Sequence, residues 1–176
     1  MLTKAFKEMP LNFITRKSFR LTTCKGSTYT VTIPTTIDSG YQSYLSQYMM
    51  SIPGMMEGRN LLDSALNEKY TGGVCFGTGT ATPTENDYTM TQKLLNSSTA
   101  TVTASVTTNG STITGTYTIV NVGSSSITIT EVGLFGNCMY SKNQSYCYLV
   151  DRTLLDEPLT IEAGAVGKIV YTITIE

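Results

Sequence analysis

The residues most able to move a proton in this chain are its carboxylates, because its 176 residues include 13 Asp plus Glu but no His. Asp87, Glu131, Asp151, Asp156 and Glu157 are the candidates. Glycoside hydrolysis needs two carboxyl groups about 5–9 Å apart across a cleft. Most of these stand at expected turns and strand ends, and spacing along the chain does not by itself place them relative to one another. They read as solvated or ion-paired groups. Asp151-Arg152 lies beside an expected strand, where it can pair with Glu131 or Asp87 and tie loops together, so Glu131, Asp151 and Arg152 are the candidate structural ion pairs. Loop carboxylates also suit calcium, but no run of alternating Asp and Asn supports such a site.

The lack of His removes imidazole chemistry, including Ser-His-Asp and Cys-His nucleophiles and His-based metal sites. Cys24, Cys75, Cys138 and Cys147 form no Cys-x-x-Cys pair, which argues against structural zinc. Cys75 sits between Val74 and Phe76 and reads as packed in an apolar strand. Cys138 and Cys147 are placed to meet across a hairpin loop, although a reduced pair suits a protein made in a cytosol. The run Gly77-Thr-Gly79-Thr-Ala-Thr-Pro83 has neither the third glycine of a dinucleotide site nor the Gly-Lys-Ser/Thr of a P-loop. No catalytic, cofactor or metal residue is assigned, and the chain is expected not to be an enzyme.

The elements that must hold these residues are mostly strands. Thr is the commonest residue at 31, against 16 Ser, and charged residues are only 14%. β-Branched Thr suits a pleated, half-buried surface. Tyr29, Val31 and Ile33 alternate with Thr28, Thr30 and Thr32, as in a strand with two unlike faces. Leu94–Thr130 is 37 residues without a charge. Inside it, Ala100, Val102, Ala104 and Val106 alternate with Thr and Ser, and Asn109-Gly110 predicts a type I′ hairpin turn. Ile113, Tyr117 and Ile119 then alternate with Thr, and Ile127 and Ile129 follow a Gly123–Ser126 turn. This predicts a three-stranded meander, with a bulge near Glu131 where the phase slips by one. A polar loop is expected over 139–146, a short strand over Tyr146–Val150, a turn at Ala163-Gly164, and a last strand with Ile169, Tyr171, Ile173 and Ile175 on one face.

Residues 40–69 differ. Tyr41, Tyr44, Tyr48 and Met49 recur with Leu45 at helical spacing, and Asn60 is placed to cap a short second helix. The stripe can pack on its own β-domain or on another subunit. Residues 1–25 carry six Lys or Arg against one Glu, including Arg16, Lys17 and Arg20, although the net charge is −1. Such a basic arm can seek an acidic partner or nucleic acid, or can simply be a solvated terminus. The overall charge gives no reason to expect a nucleic-acid binder. The first residues show no secretory pattern, and no apolar run approaches the ~18 residues of a membrane span. The fold expected is mainly β, an antiparallel β-sandwich, Ig-like or jelly-roll-like, with a short helical segment and an extended N-terminal arm. The division expected is 1–57 for the arm, first strand and helical attachment segment, and 58–176 for the sandwich.

Several segments together resemble a virion protein type. In order they are Asn60-Leu61-Leu62-Asp63-Ser64-Ala65-Leu66, Val74-Cys75-Phe76-Gly77-Thr78-Gly79-Thr80 with Pro83 and Asp87-Tyr88, Ile129-Thr130-Glu131-Val132-Gly133-Leu134-Phe135, Leu149-Val150-Asp151-Arg152-Thr153, Leu159–Gly164 and Ile169–Ile173. This order resembles tailed-bacteriophage virion components of the tail-fibre-like, collar and capsid-decoration kind, over about residues 58–176. The resemblance implies a non-enzymatic β-sandwich that assembles with copies of itself and with other virion proteins, located in the virion after synthesis in the host bacterial cytoplasm. Arg16, Lys17, Arg20, Tyr41, Tyr44, Tyr48 and Met49 are then the candidate assembly contacts. A carbohydrate-binding or host-adhesion module is the alternative, since some of the eleven Tyr residues would serve to stack on a host surface glycan.

Overall fold

The computed structural model describes residues 3, 19–24, 26–31, 55–56, 73–90, 98–141 and 144–174, with backbone alone at 19, 21, 31, 137–141 and 144–146. Its strands, in chain order, are β1 (Phe19–Thr22), β2 (Thr28–Val31), β3 (Gly73–Gly77), β4 (Ala100–Asn109), β5 (Thr112–Asn121), β6 (Ile127–Ser141), β7 (Gln144–Ile161) and β8 (Val166–Thr174). All pairings are antiparallel: β1 with β2, β3-β6-β7 in one three-stranded sheet and β4-β5-β8 in another. The protein is therefore mainly β. Met55 and Met56 alone among the described residues have helical backbone, and both are buried.

The period-two segments bury one face each. In β5, Ile113, Tyr117, Ile119 and Asn121 point inward while the intervening Thr residues are half-exposed. In β8, Ile169, Tyr171 and Ile173 are buried and their neighbours exposed. These side chains meet Val74, Phe76, Ile129, Val132, Leu134, Val150 and Ile161 from the other sheet in one buried cluster, with Met55 and Met56. The Phe76 and Tyr117 rings pack edge to face at 5.6 Å, a favoured arrangement of their quadrupoles.

The sheet β3-β6-β7 is buried on its other face too. Cys75, Phe135, Cys147 and Leu149 form a second cluster there with Cys24 and Met90. Strands buried on both faces read as continuous apolar runs rather than alternations. That explains Val74-Cys75-Phe76, all buried, and the wholly buried stretch from Glu131 to Gly136. The described part of the N-terminal region helps to cover this sheet. Cys24 N–H bonds the Cys147 carbonyl at 2.9 Å, and Thr3 N–H bonds that of Val150 at 2.9 Å.

Four local expectations change. The three strands after residue 100 are not one meander: β5 pairs with β4 and β8, while β6 crosses to the other sheet. Asn121 makes the crossing possible, because its buried amide donates to the carbonyls of Ser125 (2.8 Å) and Ile161 (2.9 Å) and accepts from Gly123 N–H (3.0 Å). The hairpin loop is Gly110-Ser111, one residue later than Asn109-Gly110, since Asn109 pairs with Thr112. Gly110 takes the positive φ of +59° that the first loop position requires, and this register sets small Ala104 opposite the Tyr117 ring. The expected loop over 139–146 is mostly strand: Ser141 pairs with Gln144, and β7 runs 18 residues instead of five. Cys138 faces Tyr146 and Cys147 faces Asn137, so the two cysteines are not directly opposite, and Cys147 is buried and outside any disulfide.

Candidate functional site

Adjacent residues of a strand point to opposite faces. Asp151 and Arg152, consecutive on β7, accordingly build two separate polar clusters on the two sides of their sheet.

The first cluster centres on Arg152. A register shift separates Ile129 from Glu131, where Thr130 of β6 lies against 155–158 of β7. Beyond this bulge Glu131 pairs with Leu154 and Gly133 with Arg152, so the carboxylate and the guanidinium are diagonal neighbours. Arg152 Nε donates to Glu131 Oε2 at 2.6 Å, Nη1 to Asp87 Oδ2 at 2.9 Å and Nη2 to the Ala81 carbonyl at 2.9 Å. Glu131 Oε1 accepts the Gly79 N–H at 3.1 Å. The Thr130 hydroxyl lies 2.9 Å from the Gly79 carbonyl. Three sides of the guanidinium fork are thus engaged, a geometry lysine does not reproduce.

The loop from Thr78 to Met90 is what this cluster holds down. Thr84 and Asp87 close its far end: Thr84 N–H donates to Asp87 Oδ2 (3.0 Å) and the Thr84 hydroxyl to Oδ1 (2.7 Å). Gly79 has a structural reason to lack a side chain, since a Cβ there would stand 2.4 Å from Glu131 Oε1. Burial pushes the Asp87 carboxyl upward, but the Thr84 bonds and the Arg152 charge outweigh it and the net shift is downward. Burial likewise disfavours the charged Arg152, and its bonds to Asp87 and Glu131 reverse that and raise it. Glu131 is wholly buried, with one oxygen on Gly79 and the other on Arg152. Chemically the arrangement neutralises buried charge and clamps a loop.

The second cluster lies between the sheets. Asp151 Oδ2 accepts the Tyr171 hydroxyl at 2.5 Å and the Thr153 hydroxyl at 2.9 Å. Burial, with the Asp151 charge beside it, raises the Tyr171 hydroxyl well above its ordinary 10.0. Burial alone raises that of Tyr117, which donates to the Met56 carbonyl at 2.9 Å. Beside this cluster, Thr153, Leu155 and Asp156 of β7 and Ile169, Tyr171 and Thr172 of β8 line an open groove of about 220 Å³.

The structure therefore brings together Glu131 and Arg152, adds Asp87, and sets Asp151 apart with Tyr171. Asp156 and Glu157 are exposed on β7. Arg20 is exposed on β1 opposite Thr30. Arg16, Lys17, Tyr41, Tyr44, Tyr48 and Met49 lie outside the described residues, as does the boundary at 57/58. Gly79, Thr84, Asn121 and Tyr171 belong to the polar framework, a role the sequence assigned to none of them. Only Thr84-x-x-Asp87 carried a local signal, as a side-chain-closed turn. Among the described residues no group of three or more His, Cys, Asp or Glu is placed to hold a metal ion, and no helix is long and apolar enough to cross a membrane. Comparison with protein-family models, curated proteins and solved structures gives no match.

Proposed function

We propose that this chain is a non-enzymatic structural component of a bacteriophage virion that self-associates and docks onto capsid, collar or tail proteins. In this reading the two three-stranded sheets form a β-sandwich of Ig-like or jelly-roll-like kind, and the protein resides in the particle. The order of sequence segments from residue 58 onward is one support. The observation that carries the reading is the outer face of β4-β5-β8.

That face is built from alternate residues: Thr101, Thr103, Ser105, Thr107 and Asn109 on β4, then Thr112, Thr114, Thr116, Thr118 and Val120 on β5. Val166, Lys168, Val170, Thr172 and Thr174 of β8 complete it. Lys168 is its one charge. Cross-strand hydroxyls bond one another, as Thr114 and Thr172 do at 3.3 Å. Isolated soluble domains usually carry mixed charges on such a face to keep neighbours off. A hydroxyl face instead allows a neighbouring protein to approach without leaving a charge unpaired. This face gives the glycan-binding alternative less support, because it bears no aromatic ring; Tyr117, Tyr148 and Tyr171 are buried, while Tyr88 is exposed in the Thr78–Met90 loop.

The test is co-purification with particles. Virions purified from a lysate of cells infected with the phage that carries this coding sequence should contain the chain, at a copy number that divides by the particle's symmetry. Protein that accumulates in the lysate but is missing from the particles overturns the proposal.

A further inference from the structure

The two three-stranded sheets have four outer strands, and three of them are guarded against pairing with another chain. β3 is five residues long and entirely buried. β7 carries Asp156, Glu157 and Pro158 at its bulge, and its Cys147 and Val150 carbonyls are already bonded. β8 has Lys168 in mid-strand. β4 has ten residues, no charge, no proline and no register shift against β5. From Thr103 to Asn109 it is exposed at every residue except half-buried Val106.

Its free backbone groups follow from the hairpin. A two-residue loop closes on a pair that exchanges both hydrogen bonds, and such pairs alternate along an antiparallel ladder. The loop closes on Asn109 and Thr112, so the odd-numbered residues of β4 bond β5. Ala104, Val106 and Thr108 then turn N–H and C=O away from the sheet, and among the described residues they have no further hydrogen-bond partner. Val102 is engaged elsewhere, which limits the open run to 103–109.

We propose that β4 is where a second copy of this chain adds, edge to edge and antiparallel, about a two-fold axis at Val106. The proposal rests on the self-association reading above and gives it a surface. In this register Val106 meets its own copy, and Ala104 meets Thr108. Thr103 meets Asn109, and Ser105 meets Thr107. Every pair keeps inward residues with inward and outward with outward, as a sheet requires. The three outward-turned residues of each strand exchange six hydrogen bonds. No charge opposes another, and the half-buried Val106 becomes covered. The segment is self-complementary in the way an isologous contact demands, and pairing makes one six-stranded sheet with a continuous hydroxyl face. Addition of β4 to β8 would instead be head-to-tail and leave open ends.

The experiment is sedimentation velocity over a concentration series, on the full chain and two variants whose folding is checked by circular dichroism. The wild type should be a dimer. S105K/T107K sets lysines directly opposite one another across the dyad, where like charges destabilise, and should weaken dimerisation by at least about tenfold. V106C should form a covalent dimer on mild oxidation, because opposite residues in such a pair have Cα atoms about 5.5 Å apart, within disulfide range; the wild type should not. A dimer that survives S105K/T107K and is not trapped by V106C removes this edge while self-association stands. A concentration-dependent ladder of larger species points to head-to-tail β4–β8 addition and overturns the two-fold. A wild type that stays monomeric overturns both the edge and self-association, and particle co-purification then decides the virion reading separately.

Discussion

Removing the Arg152 side chain is the sharpest test of the polar clamp. Arg152→Met keeps an unbranched side chain in place but deletes the bonds to Glu131, Asp87 and Ala81. Asp87 keeps 21% of its side chain in solvent and retains both Thr84 bonds. Glu131 is in a different position, because it has 0% exposure and keeps the Gly79 N–H. Breaking a buried ion pair on one side costs about 3–5 kcal/mol, since a charge is left without compensation. A small domain has about 5–15 kcal/mol in total, and a urea slope near 2 kcal/mol/M turns a loss of about 4 into a midpoint lower by roughly 2 M. Equilibrium urea unfolding followed by far-ultraviolet circular dichroism reads this directly. The double variant Arg152→Met/Glu131→Gln should recover part of the loss, because it removes the stranded charge. Asp87→Asn alone should cost no more than about 1 kcal/mol, as befits a partly exposed pair. The reasoning fails if Arg152→Met costs less than about 1 kcal/mol, or if the double variant is no more stable than Arg152→Met.

Tyr171→Phe leaves Asp151 with the Thr153 hydroxyl but without its Tyr171 bond, and should cost about 1–3 kcal/mol at neutral pH in the same unfolding assay. The Tyr171 hydroxyl is raised above 10.0 in the folded state. Its contribution is therefore whole below about pH 10 and is lost as pH climbs beyond it, so wild-type stability should fall steeply there and the Tyr171→Phe curve should fall less. Asp87 has the opposite sign. Its folded carboxyl lies below 3.8, so stability it supplies above that value should fade as pH drops through the folded value, and Asp87→Asn should flatten that acid limb. Gly79→Ala drives a Cβ to 2.4 Å from a fully buried carboxylate oxygen, and a melting temperature lowered by several degrees is expected by scanning calorimetry.

What the residues revealed in advance depended on whether a side chain's partner is local. The alternation in Thr112–Asn121 and Val166–Thr174 is a period of two with a single buried face, and each inward position can be read without knowing what packs on it. The slip of phase at Glu131 is local too, and a register shift sits there. The strand order was not legible. Period-two strands joined by a short turn satisfy a hairpin and a crossing between sheets equally well, and the choice is made by Asn121, whose partners Ser125 and Ile161 lie 4 and 40 residues on. Continuous apolar runs such as Val74-Cys75-Phe76 reveal burial on both faces but not what lies on the second. The clamp was half legible. Asp151-Arg152 next to a strand pointed to Glu131 or Asp87, and the guanidinium bonds both. Tyr171 gave no warning, because a tyrosine at an inward position looks apolar until the buried carboxylate under its hydroxyl is located.

The distribution of charge ties the clamp to the surface. In most β-domains outward-facing Lys and Glu keep sheets soluble and edges apart, and interiors are apolar. Here three charged side chains among the described residues depart from that pattern. Glu131, Asp151 and Arg152 are buried and bonded inside or against β3-β6-β7, while the outer face of β4-β5-β8 has Lys168 as its one charge across three strands. The sheet that holds the charges is covered on both sides, by the shared core and by the second cluster around Cys24 and Met90. Where it is exposed among the described residues, around Asp156, Glu157 and Thr160, it carries charge. The sheet whose one charge is Lys168 has an open face and, at β4, an uncharged open edge beside it. Pairing across that edge would extend the face without adding a charge to it, so one two-fold contact would double the area presented to a third protein. A surface lysine in either place would oppose both events. On the proposed reading the threonine excess serves contacts between chains, since the stability of a lone domain would not suffer from ordinary charges at Ser105 or Thr107.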